Sequence, residues 1–128
     1  MYVTVNPDSI KEVDIKGAKF KIGVIPYQKF LELQSSIRVS INDEKTGVFN
    51  MCKGNIDFVK WGVRGHSDMQ FEDGKDVPFK TDKVDFDGKS FDVVSEETLQ
   101  NYFPKNLYVD IATAVIGYNM MSEDEEKN

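Results

Sequence analysis

The sequence predicts an α+β domain over residues 1–121, followed by an acidic flexible tail over 122–128. Three observations carry that reading. Apolar residues alternate at spacing two around Gly17, two long stretches repeat them at spacings of three and four, and a last helical stretch is apolar on nearly every side. The predicted order is an N-terminal β-hairpin, central helices, a second small β element and a C-terminal helix.

The hairpin lies in IKEVDIKGAKFKIGVI, residues 10–25, where Val13 and Ile15 precede Gly17 and Phe20, Ile22 and Val24 follow it. Pro26 suits the first position of a helix, where its missing N–H costs nothing. In YQKFLELQSSIRVSIN, Phe30, Leu33, Ile37 and Ile41 form one stripe, while Lys29, Glu32 and Arg38 lie off it. NDEKTG, residues 42–47, is expected to interrupt this helix. A second stripe runs through Val48, Cys52, Ile56, Val59 and Val63, with Gly62 and Gly65 expected to stop that helix. Trp61 and Phe58 point away from this stripe, so the segment should be buried on both sides.

Beyond residue 68 the pattern returns to strands. MQFEDGKDVPF and KVDFDGKSFDVV each set an Asp-Gly pair within short apolar alternation, which predicts two hairpins, Pro78 confining the first to an edge or turn. Ser95 is placed to cap a short helix, EETLQNYF, with Glu96 and Glu97 in its positive first turn. Pro104 separates it from KNLYVDIATAVIGYNMM, in which Asn106, Asp110, Thr113 and Gly117 make one narrow polar stripe. A surface helix needs only about a third of its circumference to be apolar. The last helix is therefore either central to the core or carries an extra face for another chain.

Composition narrows the function classes. A net charge of -6 opposes binding to nucleic acid and to anionic membranes, although SEDEEKN alone supplies half of it (four acidic residues and one Lys). One cysteine forbids an intrachain disulfide, and no run of about 18 apolar residues is present to span a bilayer. The start of the chain lacks the basic and apolar runs of a signal peptide.

Chemistry has few carriers. His66 is the one histidine, but no G-x-S-x-G elbow or comparable motif accompanies it, so a helix-end or loop role is expected. One His and one Cys cannot build a structural zinc cage. DFDG, residues 85–88, fails as a calcium loop, because Gly88 at position six would put Lys83 at position one and Val94 at position twelve. It reads as a tight turn. No phosphate-binding glycine motif occurs, aromatic residues are not interleaved with basic clusters, and Cys52 falls on an apolar stripe. No catalytic, cofactor-binding or metal-binding residue is assigned, and an enzyme is not expected.

In FVKWGVRGHSDMQFEDGKDVPF, in the apolar helix LYVDIATAVIGYNMM leading into SEDEEKN, and in the opening hairpin feeding an amphipathic helix, the chain resembles the tail-assembly-chaperone-like proteins of tailed bacteriophages and prophages. It departs from them in the added hairpin KTDKVDFDGKSFDVV and in His66, which stands where the family often has an aromatic residue. The resemblance implies a non-enzymatic protein of the host bacterial cytoplasm, absent from the mature virion. It would bind the tape measure protein and help tail-tube subunits assemble, with no cofactor, nucleic acid or membrane, and with self-association left open. The expected docking residues are Trp61, Tyr108, Ile111, Val115, Tyr118, Met120 and Met121. Family members are often made in two lengths by a minus-one frameshift, and Glu126-Lys127-Asn128 can be encoded with a slippery A AAA AAC. The alternatives are a virion structural protein, such as a neck or tail-completion subunit, and a small hydrolase.

Overall fold

Two helices are inserted between the second and third strands of an antiparallel sheet, and that insertion organises the molecule. The computed structural model describes residues 1–39 and 44–120, with side chains described over 1–36 and 53–120. The expected roles of Ile37, Ile41, Val48, Cys52, Met121 and the tail 122–128 therefore lie outside the described residues or side chains.

Strands β1 (Ile10–Ile15) and β2 (Ala18–Gly23) pair from Ile10↔Gly23 to Ile15↔Ala18, leaving Lys16 and Gly17 as a two-residue turn. Both turn residues have positive φ, 53° and 95°, as a type I′ turn requires. The Asp14 carboxylate accepts the Gly17 N–H at 3.0 Å. On β2 the alternation is clean: Ala18, Phe20 and Ile22 are buried between the less buried Lys19 and Lys21.

Helix α1 spans Tyr27–Val39 and α2 spans Glu44–Gly62. The Pro26 carbonyl accepts the Phe30 N–H, so Pro26 sits at the helix boundary rather than inside the first turn. NDEKTG does not act as one interruption, because Glu44 to Gly47 already belong to α2. α2 ends at Gly62, as expected, but without a left-handed glycine, since positive φ among the described glycines falls at Gly17, Gly74 and Gly88. Instead α2 passes straight into β3 (Val63–Ser67), a strand absent from the sequence reading. β3 pairs antiparallel with β2, in the order β1-β2-β3.

The register between them runs Lys21↔Gly65, then Ile22↔Val63, so Arg64 is the extra residue of a β-bulge. A bulge re-aims its side chain. The Arg64 guanidinium donates back to the Trp61 carbonyl, one of the groups left without an intrahelical partner at the end of α2, and to the Val24 carbonyl at 2.8 Å.

The second hairpin is as expected, β4 (Thr81–Phe86) and β5 (Lys89–Val94) turning at Asp87 and Gly88 with φ of 52° and 77°. The first Asp-Gly pair makes less structure than predicted. Residues 69–77 close as a tight turn with one isolated bridge, Gln70↔Asp76, and backbone hydrogen bonds from Phe71 to Lys75 and from Val77 to Met69, so this Asp-Gly pair stays a turn, the limit that Pro78 was expected to set. Ser95 caps as expected, its hydroxyl accepting the Thr98 N–H at 3.1 Å. The turn it starts widens into a π-helix over Thr98–Tyr102, and a 3-10 turn over Lys105–Leu107 then leads into α3 (Tyr108–Met120).

The core forms around α2 and α3. Phe20, Ile22, Phe58, Ile111 and Val115 are fully enclosed. α3 packs on α2 on one side and on β1 and β2 on the other, which accounts for its nearly all-round apolar character. Asp110 and Thr113 of α3, with Asn106 in the 3-10 turn before it, are exposed as the polar stripe requires. α1 meets α2 through an edge-to-face pair, Phe30 and Phe58, at 5.5 Å. Trp61 leaves α2 in another direction and packs against Phe86 and Phe91 of the second hairpin at 5.8 and 6.0 Å. α2 is thus buried on both sides, as predicted.

Candidate docking groove

The seven residues expected to face a partner divide sharply. Trp61, Tyr108, Ile111, Val115 and Tyr118 are at most 8% exposed and belong to the core of the folded chain. The physical reason is that the sheet and α2 use both flanks of α3, so most of its apolar surplus is consumed internally, Val109 at 61% exposure being an exception. Met120 is different, at 64% exposure, and Met121 lies outside the described residues.

Met120 stands at one end of a groove of about 530 Å³. The walls come from the N-terminal segment (Thr4, Val5, Pro7), the β2–α1 connection (Val24, Ile25, Pro26), the first turns of α1 and the end of α3. No lining residue carries a charge, on a chain that is 30% charged. Tyr27 is 75% exposed and Leu31 is 42% exposed, and both line it. Isolated exposed apolar residues are common, but three gathered in one uncharged concavity are the usual mark of a contact surface.

Two side-chain clamps hold this groove. Asn119 accepts the Ile25 N–H at 2.7 Å and donates to the carbonyls of Gly23 at 3.2 Å and Val115 at 2.8 Å, joining the end of α3 to the β2–α1 connection. Arg64 holds the same connection from the other side through Val24. Burial lowers the Arg64 pKa, with Asp92 opposing the shift, yet guanidinium remains the charged form at any working pH. Gly23 is needed beside it: a Cβ there would lie 2.6 Å from Arg64 Nε.

His66 is built into the fold. Its ring is edge-on to Phe79 at 5.4 Å, Phe103 at 5.9 Å and Phe20 at 6.4 Å, with Nε2 3.4 Å from the Pro78 carbonyl. Desolvation lowers its pKa, against a smaller raising effect from that carbonyl. It therefore helps hold the 69–79 loop on the sheet as a neutral ring. Among the described residues, no three potential ligands converge on a metal position.

Tyr27 and Leu31 were missed as site residues. The available signal was their spacing of four, which puts them on a second apolar line of α1, off the Phe30–Leu33 stripe. Arg64 and Asn119 carried no comparable signal, since their partners are backbone groups far away in the chain. Comparison with protein-family models, with curated proteins and with solved structures finds no match to this chain. Among the described residues, no helix is long and apolar enough to cross a membrane.

Proposed function

We propose that this chain is a non-enzymatic tail assembly chaperone of a phage or prophage, which docks an apolar helical stripe of the tape measure protein in the groove bounded by Tyr27, Leu31 and Met120. The observation that carries the reading is the uncharged lining of that groove on an otherwise acidic chain. A long helical partner exposes apolar stripes before its tube has formed, and those stripes aggregate. A concave, uncharged receptor covers such a stripe, and a net charge of -6 keeps the pair dispersed. The resemblance in FVKWGVRGHSDMQFEDGKDVPF and in the last helix points the same way. Tail-tube subunits are the second partner that it implies.

The test is co-expression with a tape measure protein, sought first in the neighbouring reading frames, followed by measurement of partner solubility and of Kd. Replacing Tyr27 or Leu31 with Glu is expected to cost on the order of 2 kcal/mol of binding each, about thirtyfold in Kd. Both side chains are exposed, so the unfolding midpoint should hold. Binding that ignores both substitutions removes the groove from the proposal, and a partner that stays soluble without this chain removes the chaperone role. Mass spectrometry of finished particles separates the chaperone, which should be absent, from a neck or tail-completion subunit, which should be present.

A further inference from the structure

A second concavity has a different chemistry. It measures about 650 Å³ and opens between the last turns of α2 and the irregular segment 96–109. Its origin is local: the wide π turn at Thr98–Tyr102 and the break at Pro104 keep this segment from closing on α2. Leu99 and Tyr108 make an apolar floor, 4% and 8% exposed, and Ile56 and Val109 continue it outward. The Tyr108 hydroxyl donates to the Leu99 carbonyl, and burial pushes its pKa up to about 12. The floor is therefore neutral and rigid.

The rim holds polar groups that make no side-chain hydrogen bond among the described residues. Among the described residues, the Asn55 and Asn101 amides, the Asp57 carboxylate and the Lys53 and Lys105 ammonium groups line this cleft without a side-chain hydrogen bond or ion pair. Glu96 contrasts with them, being engaged by Lys60 at 3.3 Å and by Gln100 at 3.3 Å. Asp57 is half-buried, and desolvation raises its pKa despite Lys53, Lys60 and Lys29. With Glu96 paired to Lys60, the remaining rim charges are two cations and one anion, Lys53 and Asp57 attracting one another, so one added negative charge would neutralise the rim.

We infer that this cleft binds an apolar residue bearing a free carboxylate and a neighbouring N–H, the apolar part on Leu99, Tyr108 and Val109, the carboxylate toward Lys53 and Lys105, and the N–H toward Asp57. The amides of Asn55 and Asn101 suit this ligand, because each can both donate to and accept from a peptide group. The volume falls in the range of small-ligand sites, about 300–1,000 Å³. The same chemistry is offered by a free acylated amino acid and by the C-terminal residue of a polypeptide. This site is separate from the groove at Tyr27 and does not depend on the tail-assembly reading.

Amide-shift titration of the intact chain tests it with N-acetyl-L-leucine, N-acetyl-L-leucinamide, and a hexapeptide ending in leucine with a free or an amidated terminus. The free acids should give saturable shifts over residues 53–57 and 96–109 and bind about tenfold tighter than their amides. The exposed variant Lys105→Glu should lose about tenfold in affinity at an unchanged unfolding midpoint, and Val109→Glu should lose at least as much. A hexapeptide tighter than N-acetyl-L-leucine assigns the site to a polypeptide terminus, and equal affinity assigns it to a small molecule. No saturable shift up to about 10 mM of any probe, or equal binding of acid and amide, overturns the proposal.

Discussion

The sharpest quantitative consequence of the packing concerns Gly62 and Val115. A Cβ added at Gly62 would overlap Val115 Cγ1 and sit 2.8 Å from Cγ2. Val115 is fully buried and β-branched, and in a helix such a side chain has essentially one χ1 rotamer, so it cannot swing aside. Gly62→Ala should therefore force α2 and α3 apart, an overpacking cost at the upper end of about 1–3 kcal/mol. Ala is better than Gly in a helix by about 1 kcal/mol, which offsets part of that. The net expectation is a loss of about 2 kcal/mol, or about 6–8 °C in Tm for a domain of this size. Val115→Ala alone removes two methyl groups and leaves a void, at about 2–3 kcal/mol. In the double variant the methyl added by Gly62→Ala enters that void, so the combined loss should be about 1 kcal/mol rather than the sum of about 4–5 kcal/mol. Urea unfolding followed by Trp61 fluorescence and far-ultraviolet circular dichroism measures all three variants. If Gly62 acted through a helix-stopping backbone conformation, Val115→Ala would give no rescue. Additive losses, or a Gly62→Ala variant as stable as the parent, would refute the close-approach account.

Two further outcomes follow from the aromatic clusters. Trp61→Ala should cost about 3 kcal/mol, because the indole fills the space between α2 and the second hairpin; an unchanged urea midpoint would sink that claim. His66, whose pKa is lowered from 6.5 by burial, takes up its proton more readily in the unfolded chain. Its contribution to stability is thus complete above pH 6.5 and is lost as pH falls through its lower folded value. Stability should rise with pH across that window in the parent and less so in His66→Phe, and parallel pH profiles for the two would contradict the reading.

Much of the fold could be read from local chemistry, and specific elements show why. The turns at Lys16-Gly17 and Asp87-Gly88 need positive φ at adjacent residues, a demand that the sequence displays in the residue types themselves. Ser95 and the stripes of α1, α2 and α3 are likewise signals spanning a few positions. β3 was not legible, since VRGHS shows no alternation and becomes a strand only because β2 offers it an edge. The Asp-Gly loop at 73–74 carried the same local signal as the second hairpin but closes with one isolated bridge, Gln70↔Asp76. The candidate sites were less visible still. Met120 was anticipated, whereas Tyr27, Leu31, Asp57 and Lys105 gain meaning from neighbours that the chain brings from elsewhere.

The sequence by itself determined the first and last hairpins, the three helices and the Ser95 cap, though not β3, and that the last helix holds more apolar surface than one flank can bury. Tertiary structure decided where that surface goes. With β1 and β2 on one side of α3 and α2 on the other, Tyr108, Ile111, Val115 and Tyr118 are consumed in the core, while Val109 and Met120 of the same helix stay exposed, Met120 beside Tyr27 and Leu31 of α1. The reason is general: periodicity states that a face must be covered, but the same covering is available from the chain itself or from a partner, and only the packing of distant segments distinguishes the two.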